Sequence, residues 1–184
     1  MNCGALILAA GASSRLGTPK QLLRLRQETL LYRSIRISKE AGCSPVVVVL
    51  GAFEDQIRRQ CNRQDTVLVS HAEWADGMGT SLARGIEAFN SVTGAVVMTC
   101  DMPAVTATHL VALQATGEVT ASRYAERRGV PAYFPCAVFP ELLKIRGDAG
   151  ARDLLRSAAF VELIGGELDI DTAEELTLAM TAFG

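Results

Sequence analysis

Leu6-Ile7-Leu8-Ala9-Ala10 runs directly into Gly11-Ala12-Ser13-Ser14-Arg15-Leu16-Gly17-Thr18-Pro19-Lys20. The apolar run has no polar alternation and reads as a buried strand. The small-residue loop after it leaves backbone N–H groups free to face an anion. Arg15 and Lys20 bring two cations to that loop, so the stretch is built for polyphosphate. As isolated residues they would be two solvated surface cations, and it is the loop that changes their meaning. A Walker loop needs Gly-Lys-Ser/Thr after four intervening residues, and a dinucleotide fingerprint needs Gly-x-Gly-x-x-Gly. Neither pattern is present.

Outward from this strand the pattern repeats. Strands are expected at Ala5 to Ala10, Pro45 to Leu50, Thr66 to Ser70 and Ala95 to Cys100. Val46-Val47-Val48-Val49-Leu50 and Ala95-Val96-Val97-Met98 also lack alternation, as strands of a parallel sheet covered on both faces do. Helices are expected at Thr29 to Ala41, with Leu31, Ile35, Ser38 and Ala41 on one face and Gly42 as the stop, and at Phe53 to Cys61, Gly79 to Phe89 and Thr106 to Ala115. The βαβαβαβ order predicts an α/β fold, a Rossmann-like, doubly wound, mostly parallel sheet. Ligands of such sheets sit at the carboxyl ends of the strands, where the loop at Gly11 to Lys20 and the turn Asp101-Met102-Pro103 should meet.

After Gly117 the style changes. A hairpin is expected from Val119 to Tyr124 and Gly129 to Phe134 around Ala125-Glu126-Arg127-Arg128. Helices at Phe139 to Ile145 and Ala151 to Ala158, a strand near Val161 to Ile164 and a closing helix from Ala173 follow. No repeat or linker divides the chain, so 1–184 reads as a single domain: a nucleotide-binding half at about 1–117 and an acceptor-side subregion at about 118–184.

Composition bounds the function. The 184 residues are 49% hydrophobic but only 5% aromatic, so the core must be aliphatic. Eighteen basic against twenty acidic residues leave a formal net charge of −2, which offers no general attraction for nucleic acid or an anionic membrane. The cysteines at 3, 43, 61, 100 and 136 form no Cys-x-x-Cys pair and read as small buried hydrophobes of a reducing compartment. The short first apolar run is neither a signal peptide nor a membrane span, so a cytoplasmic location is expected. His71 and His109 lack metal-ligand spacing or a matched nucleophile.

Asp101 ends an apolar strand, where a carboxylate can hold Mg²⁺, although it can equally cap a helix ahead of Pro103. In Leu168-Asp169-Ile170-Asp171-Thr172-Ala173-Glu174-Glu175, strand alternation would put Asp169 and Asp171 on one face, opposite Ile170. Asp171 is a second metal carboxylate, or else it or Thr172 caps the last helix with Glu174 or Glu175 completing a capping box. Gly77-Met78-Gly79-Thr80-Ser81-Leu82 lets backbone approach a flat ligand and presents two hydroxyls, yet by itself is also an ordinary loop and cap. Trp74 is close enough in sequence to shape that segment.

Four ordered motifs, spanning Leu8 to Glu175, resemble the nucleotidyltransferases that activate molybdopterin, a MobA-like NTP transferase family that includes the molybdenum cofactor cytidylyltransferases. The first loop is similar to its Leu-Ala-Ala-Gly-x-Ser-x-Arg-x-Gly-x-Pro-Lys signature. Cys100-Asp101-Met102-Pro103 resembles its metal-binding turn, with Met102 where Gln is usual. Leu168 to Glu175 resembles its closing Asp-Ile-Asp-Thr-Pro-Glu-Asp segment, with Ala173 and Glu175 as departures. Gly77 to Leu82 is similar to its nucleotide-pocket segment.

The resemblance implies that Ala9, Ala10, Gly11, Arg15, Lys20, Gly79, Ser81 and Asp101 bind the nucleotide. It makes Arg15, Lys20 and Asp101 catalytic, with Asp101 and Asp171 holding Mg²⁺. Gly147 to Arg152 and Arg128 to Pro131 resemble its acceptor segments, which assigns Gly129, Pro131, Asp148 and Arg152 to the acceptor side. The implied reaction moves CMP from CTP to the terminal phosphate of molybdopterin or its molybdenum-loaded form and releases pyrophosphate, before delivery to a recipient molybdoenzyme. Leu-Ala-Ala-Gly resembles the cytidylyl branch and Leu-Ala-Gly-Gly the guanylyl branch. A guanylyltransferase, a sugar or polyol phosphate nucleotidyltransferase, or a cofactor carrier or chaperone are the alternatives.

Overall fold

The computed structural model describes residues 2–60, 65–147 and 151–183. Among them, β1 (Cys3–Ala9), β4 (Val46–Leu50), β5 (Val67–Ser70), β6 (Gly94–Thr99), β7 (Thr120–Tyr124), β8 (Arg127–Pro135) and β9 (Ala159–Glu162) form one sheet in the order β5-β4-β1-β6-β8-β7-β9. Strands β5, β4, β1 and β6 are mutually parallel, and β9 is parallel to β7. Strand β8 runs antiparallel to both neighbours, because a hairpin turn returns the chain. The expected mostly parallel α/β sheet is therefore present, with one reversed strand in its C-terminal half. A small ribbon of β2 (Arg24–Leu25) and β3 (Glu28–Thr29) stands apart.

The central strands are apolar because both faces are covered: all seven residues of β1 and all five of β4 are buried. Helix α1 (Leu30–Glu40) is capped by Thr29, whose hydroxyl accepts the Tyr32 N–H at 3.2 Å. It buries Leu31, Ile35 and Ser38, and Gly42, at φ 79°, ends it. Helices α1 and α4 (Ala107–Gln114) contribute to the core on one face of the sheet. Helix α3 (Met78–Ile86) and the turn α5 (Phe139–Leu142) contribute on the other, and α2 (Glu54–Gln60) crosses between β4 and β5. Helix α6 (Arg152–Arg156) precedes β9, and α7 (Ala173–Phe183) closes the described chain.

Three expectations need correction. Residues 169–171 belong to no strand, although Ile170 is still buried at 0% exposure. Its N–H is taken by the Asp101 carbonyl at 2.9 Å, a single backbone bond where a strand would need a ladder. The last strand lies at Ala159–Glu162, two residues earlier than expected, because register with β7 sets its position. Cys3, Cys43 and Cys100 are buried as expected, whereas Cys136 is exposed and Cys61 lies outside the described residues. No described helix is long and apolar enough to cross a membrane.

Candidate active site

The loop after β1 is pinned at both ends. Ser13, at a left-handed φ of 50°, accepts the Leu16 and Gly17 N–H groups on its carbonyl. Its Oγ accepts the Lys20 N–H at 3.1 Å. Gln21, only 1% exposed, donates Nε2 to the carbonyls of Ala9 at 2.8 Å and Gly11 at 3.1 Å. Lys20 therefore projects from a fixed point at the end of β1.

Its ammonium donates to Asp101 Oδ2 at 2.5 Å and to Asp171 Oδ1 at 2.6 Å. Asp101 is carried past the end of β6. Asp171 is carried by the segment before α7, whose Ile170 N–H is bonded to the Asp101 carbonyl. The capping alternative for Asp171 is answered by its neighbours. Thr172 Oγ1 accepts the Glu175 N–H at 3.2 Å, and Glu175 Oε2 accepts the Asp171 N–H at 2.8 Å. The Asp171 carboxylate is left for Lys20 and for Arg15, whose Nη2 donates to Oδ2 at 2.8 Å. Asp101 does not cap α4 either, because Thr106 Oγ1 takes that role by accepting the His109 N–H.

The charges tune one another. Burial alone would lower the Lys20 pKa, but the charges and hydrogen bonds of Asp101 and Asp171 outweigh it and raise the value above that of a free lysine. Asp171 moves the other way: burial would raise its pKa, and Lys20 with Arg15 holds it below the usual carboxylate range. Asp169, on the lip beside them, is pushed up to about 6 by partial burial and by the nearby charges of Asp101 and Asp171. Strand alternation pointed to Asp169 and Asp171 on one side, but its membership of the cluster was not foreseen.

Asp101 Oδ1 is buried and has no hydrogen-bond partner among the described residues. An unpaired buried carboxylate oxygen beside a second carboxylate is a donor set suited to a hard divalent cation. No three or more His, Cys, Asp or Glu side chains among the described residues are grouped to hold a metal. A cation here would thus need further oxygens from a ligand or water, the usual way Mg²⁺ is held.

Two cavities meet at this cluster. The smaller, about 310 Å³, is lined by Ala9, Ala10, Gly11, Gln21, Trp74 and Ser81 among others. The larger, about 980 Å³, carries Asp169, Asp171 and the arginines of β7, β8 and α6. Leu8, Lys20, Met78, Thr99 and Asp101 line both.

The structure thus brings Ala9, Ala10, Gly11, Lys20, Ser81 and Asp101 together at one cavity, and Gly129 and Arg152 at the other with Asp171. Gly79 lies off both linings. A Cβ there would come within 2.7 Å of the Gly147 carbonyl and Ile145 Cγ2, so the glycine lets α3 pack against that segment. Arg15 lines neither cavity, and its side chain is 69% exposed. Pro131 is buried and lines neither cavity, and Asp148 lies outside the described residues. Met78 lies within the pocket-like segment Gly77 to Leu82, whereas Gln21, Thr99, Arg127 and Arg156 carried no motif by which the sequence could single them out. Met102 is 3% exposed, part of the core as well as of the larger cavity's wall.

The chain is 32% identical to nicotine blue oxidoreductase of Paenarthrobacter nicotinovorans over 93% of each chain. It is 31% identical to the molybdenum cofactor cytidylyltransferase of Escherichia coli K12 over 45% of this chain and 43% of that one. Rv0371c of Mycobacterium tuberculosis H37Rv superposes with a TM-score of 0.84 at 30% identity, covering 98% of each chain, and a structure of Rv0371c in complex with manganese superposes at 0.82. The MobA-like NTP transferase domain matches residues 5–163, and the chain is a nucleotidyltransferase that belongs to that family.

Proposed function

We propose that this enzyme transfers CMP from CTP to the terminal phosphate of molybdopterin or its molybdenum-loaded form, with release of pyrophosphate and with Mg²⁺ as the working cation. The observation that carries this reading is the Lys20 ammonium held between Asp101 and Asp171 where the two cavities meet. A transferred phosphoryl group must contact a donor on one side and an acceptor on the other, and this junction faces both. The continuous sheet beneath the two cavities supports reading 1–184 as one domain.

The smaller cavity would take the nucleotide. Ala9, Ala10 and Gly11 offer it backbone, and Ser81 a hydroxyl. The Ala10 methyl, 6% exposed, narrows its floor and favours a pyrimidine. Asp101 and Asp171 would hold the cation, which would supply positive charge for the phosphate oxygens. Lys20 stabilises the charge developing on the same oxygens, and Arg15, largely exposed and paired through Nη2 with Asp171, would turn toward the triphosphate. The acceptor phosphate enters from the larger cavity past Gly129 and Arg152. With a second pKa of about 6 it is already largely anionic, so no general base is required.

Incubation with each NTP, Mg²⁺ and molybdopterin, followed by pyrophosphate release, tests the proposal. CTP with acceptor-dependent release is expected. Release with GTP alone moves the enzyme to the guanylyl branch, and no acceptor-dependent release with any NTP refutes transfer to molybdopterin.

A further inference from the structure

Strands β7 and β8 pair as a hairpin, but their register breaks in the middle. Ala121 lies opposite Ala132, and the next residue, Ser122, lies opposite Gly129. Val130 and Pro131 thus have no partner on β7, and the β6 ladder ends at Ala132 on the other side. This is a two-residue bulge, a device that redirects backbone beside functional sites. It turns Gly129 and Val130 into the wall of the larger cavity.

The bulge has to satisfy carbonyls that a regular ladder would have paired. Side chains do so. Ser122 Oγ donates to the Pro131 carbonyl at 2.6 Å, and Tyr124 Oη donates to the Val130 carbonyl at 3.1 Å. Ser122, at 0% exposure, is also 2.7 Å from His109 Nε2. Its only proton is committed to the Pro131 carbonyl, so His109 must be the donor, as the neutral Nε2–H tautomer or the imidazolium. Burial lowers the His109 pKa and selects the neutral form. The ring is aimed from the first turn of α4, where Thr106 caps the His109 N–H. A chain of three groups therefore runs from α4 to the bulge.

We infer that His109, through Ser122, is a positioning residue that fixes the Gly129–Pro131 bulge as the acceptor wall of the active site. The inference rests on the larger cavity being the acceptor side. The tight fit of Gly129, where a Cβ would approach Tyr124 Oη to 2.5 Å, is a second sign that this backbone is held in one place.

The test uses the full chain with CTP and molybdopterin, comparing wild type with Ser122→Ala, His109→Leu and His109→Gln, each checked for folding by urea titration. Ser122→Ala and His109→Leu should raise KM for the acceptor about 10-fold, leaving KM for CTP within about twofold, because the lost bonds hold only the acceptor wall. His109→Gln keeps an N–H donor and should recover most of the loss. Unchanged acceptor KM in the folded variants, equal increases for CTP and acceptor, or a glutamine variant no better than leucine would overturn the inference. If the buried variants do not fold, Tyr124→Phe removes the other clamp from a half-buried ring, and an unchanged acceptor KM there overturns it. A wild type that releases no acceptor-dependent pyrophosphate refutes the transfer reading and this inference with it. A wild type that turns over while the variants keep its acceptor KM refutes the inference alone.

Discussion

Lys20→Met in metal-free protein isolates the charge cluster from catalysis. The ammonium lies 2.5 Å from Asp101 Oδ2 and 2.6 Å from Asp171 Oδ1, with side chains 18%, 10% and 28% exposed. At an effective dielectric of about 20, each contact is worth roughly 6 kcal/mol of Coulomb attraction. Desolvation of three ions, at several kcal/mol each, offsets most of that. Removing one member of a buried pair typically costs about 3–5 kcal/mol, since the partner charge is left behind. Here Asp171 keeps Arg15 and some water, so the expected loss is about 2–3 kcal/mol. For a chain of this size that lowers Tm by about 5–10 °C.

The pH dependence gives the loss a signature. The Lys20 pKa is raised, so its contribution is full below the unfolded value of 10.5 and fades as pH rises through the folded value. The Asp171 pKa is depressed, so its contribution is full above the unfolded value of 3.8 and fades as pH falls through the folded one. The gap between wild type and variant should therefore be a plateau between these limits that closes in acid. Thermal unfolding followed by circular dichroism in a chelator, across that range, measures it. Adding Mn²⁺ should stabilise the variant more than wild type, because in wild type the cation must compete with the ammonium for the same two carboxylates. Equal Tm values in chelator, or a gap that persists undiminished in acid, would refute the reasoning.

The same variant, or Lys20→Ala, should lose about 10²-fold or more in turnover, as removing a preorganised charge-stabilising group does; activity within a few-fold of wild type removes Lys20 from the mechanism. Asp101→Asn should raise the Mg²⁺ concentration needed for half-maximal rate far more than it weakens metal-free CTP binding, and an unchanged Mg²⁺ titration would contradict that. Ala10→Gly should shift the CTP-to-GTP ratio of kcat/KM toward GTP by about 10- to 200-fold, the worth of one methyl in a pocket; an unmoved ratio takes base choice away from this position. Asp169→Asn should stabilise the metal-free protein above about pH 6, where the wild-type carboxylate is ionised at a cost, and make no difference below 3.8. Exposure on the cavity lip discounts the gain to about 1 kcal/mol or less, and urea titrations at pH 4 and 7.5 that show the same difference would exclude it.

Residue by residue, what is legible in the sequence is local. Val46 to Leu50 and Ala95 to Met98 announced buried strands because a strand covered on both faces cannot afford alternating polar side chains. Thr29 and Gly42 announced the ends of α1 because caps act within one turn. The place of Asp101 at the carboxyl end of the sheet was legible because it directly follows such a strand. The role of Asp171 was not, since carboxylate and cap readings differ only in what lies across the fold. Gly79 read as a pocket residue, as its motif resembles one, but its packing against Ile145 was set by α5 and the segment after it.

The sequence by itself determined the alternating α/β order, the small-residue loop after the first strand and the two cations, Arg15 and Lys20, that it carries. These follow from periods of two and 3.6 residues and from chemistry carried within ten positions. Only the tertiary structure decided that β8 inserts between β6 and β7, that Val130 and Pro131 bulge beside the larger cavity, and that His109 backs them through Ser122. It also decided that Lys20 meets partners 81 and 151 residues away. The reason is physical: strand register and cross-fold charge pairing depend on how separate elements fit against one another, and no local pattern encodes that fit.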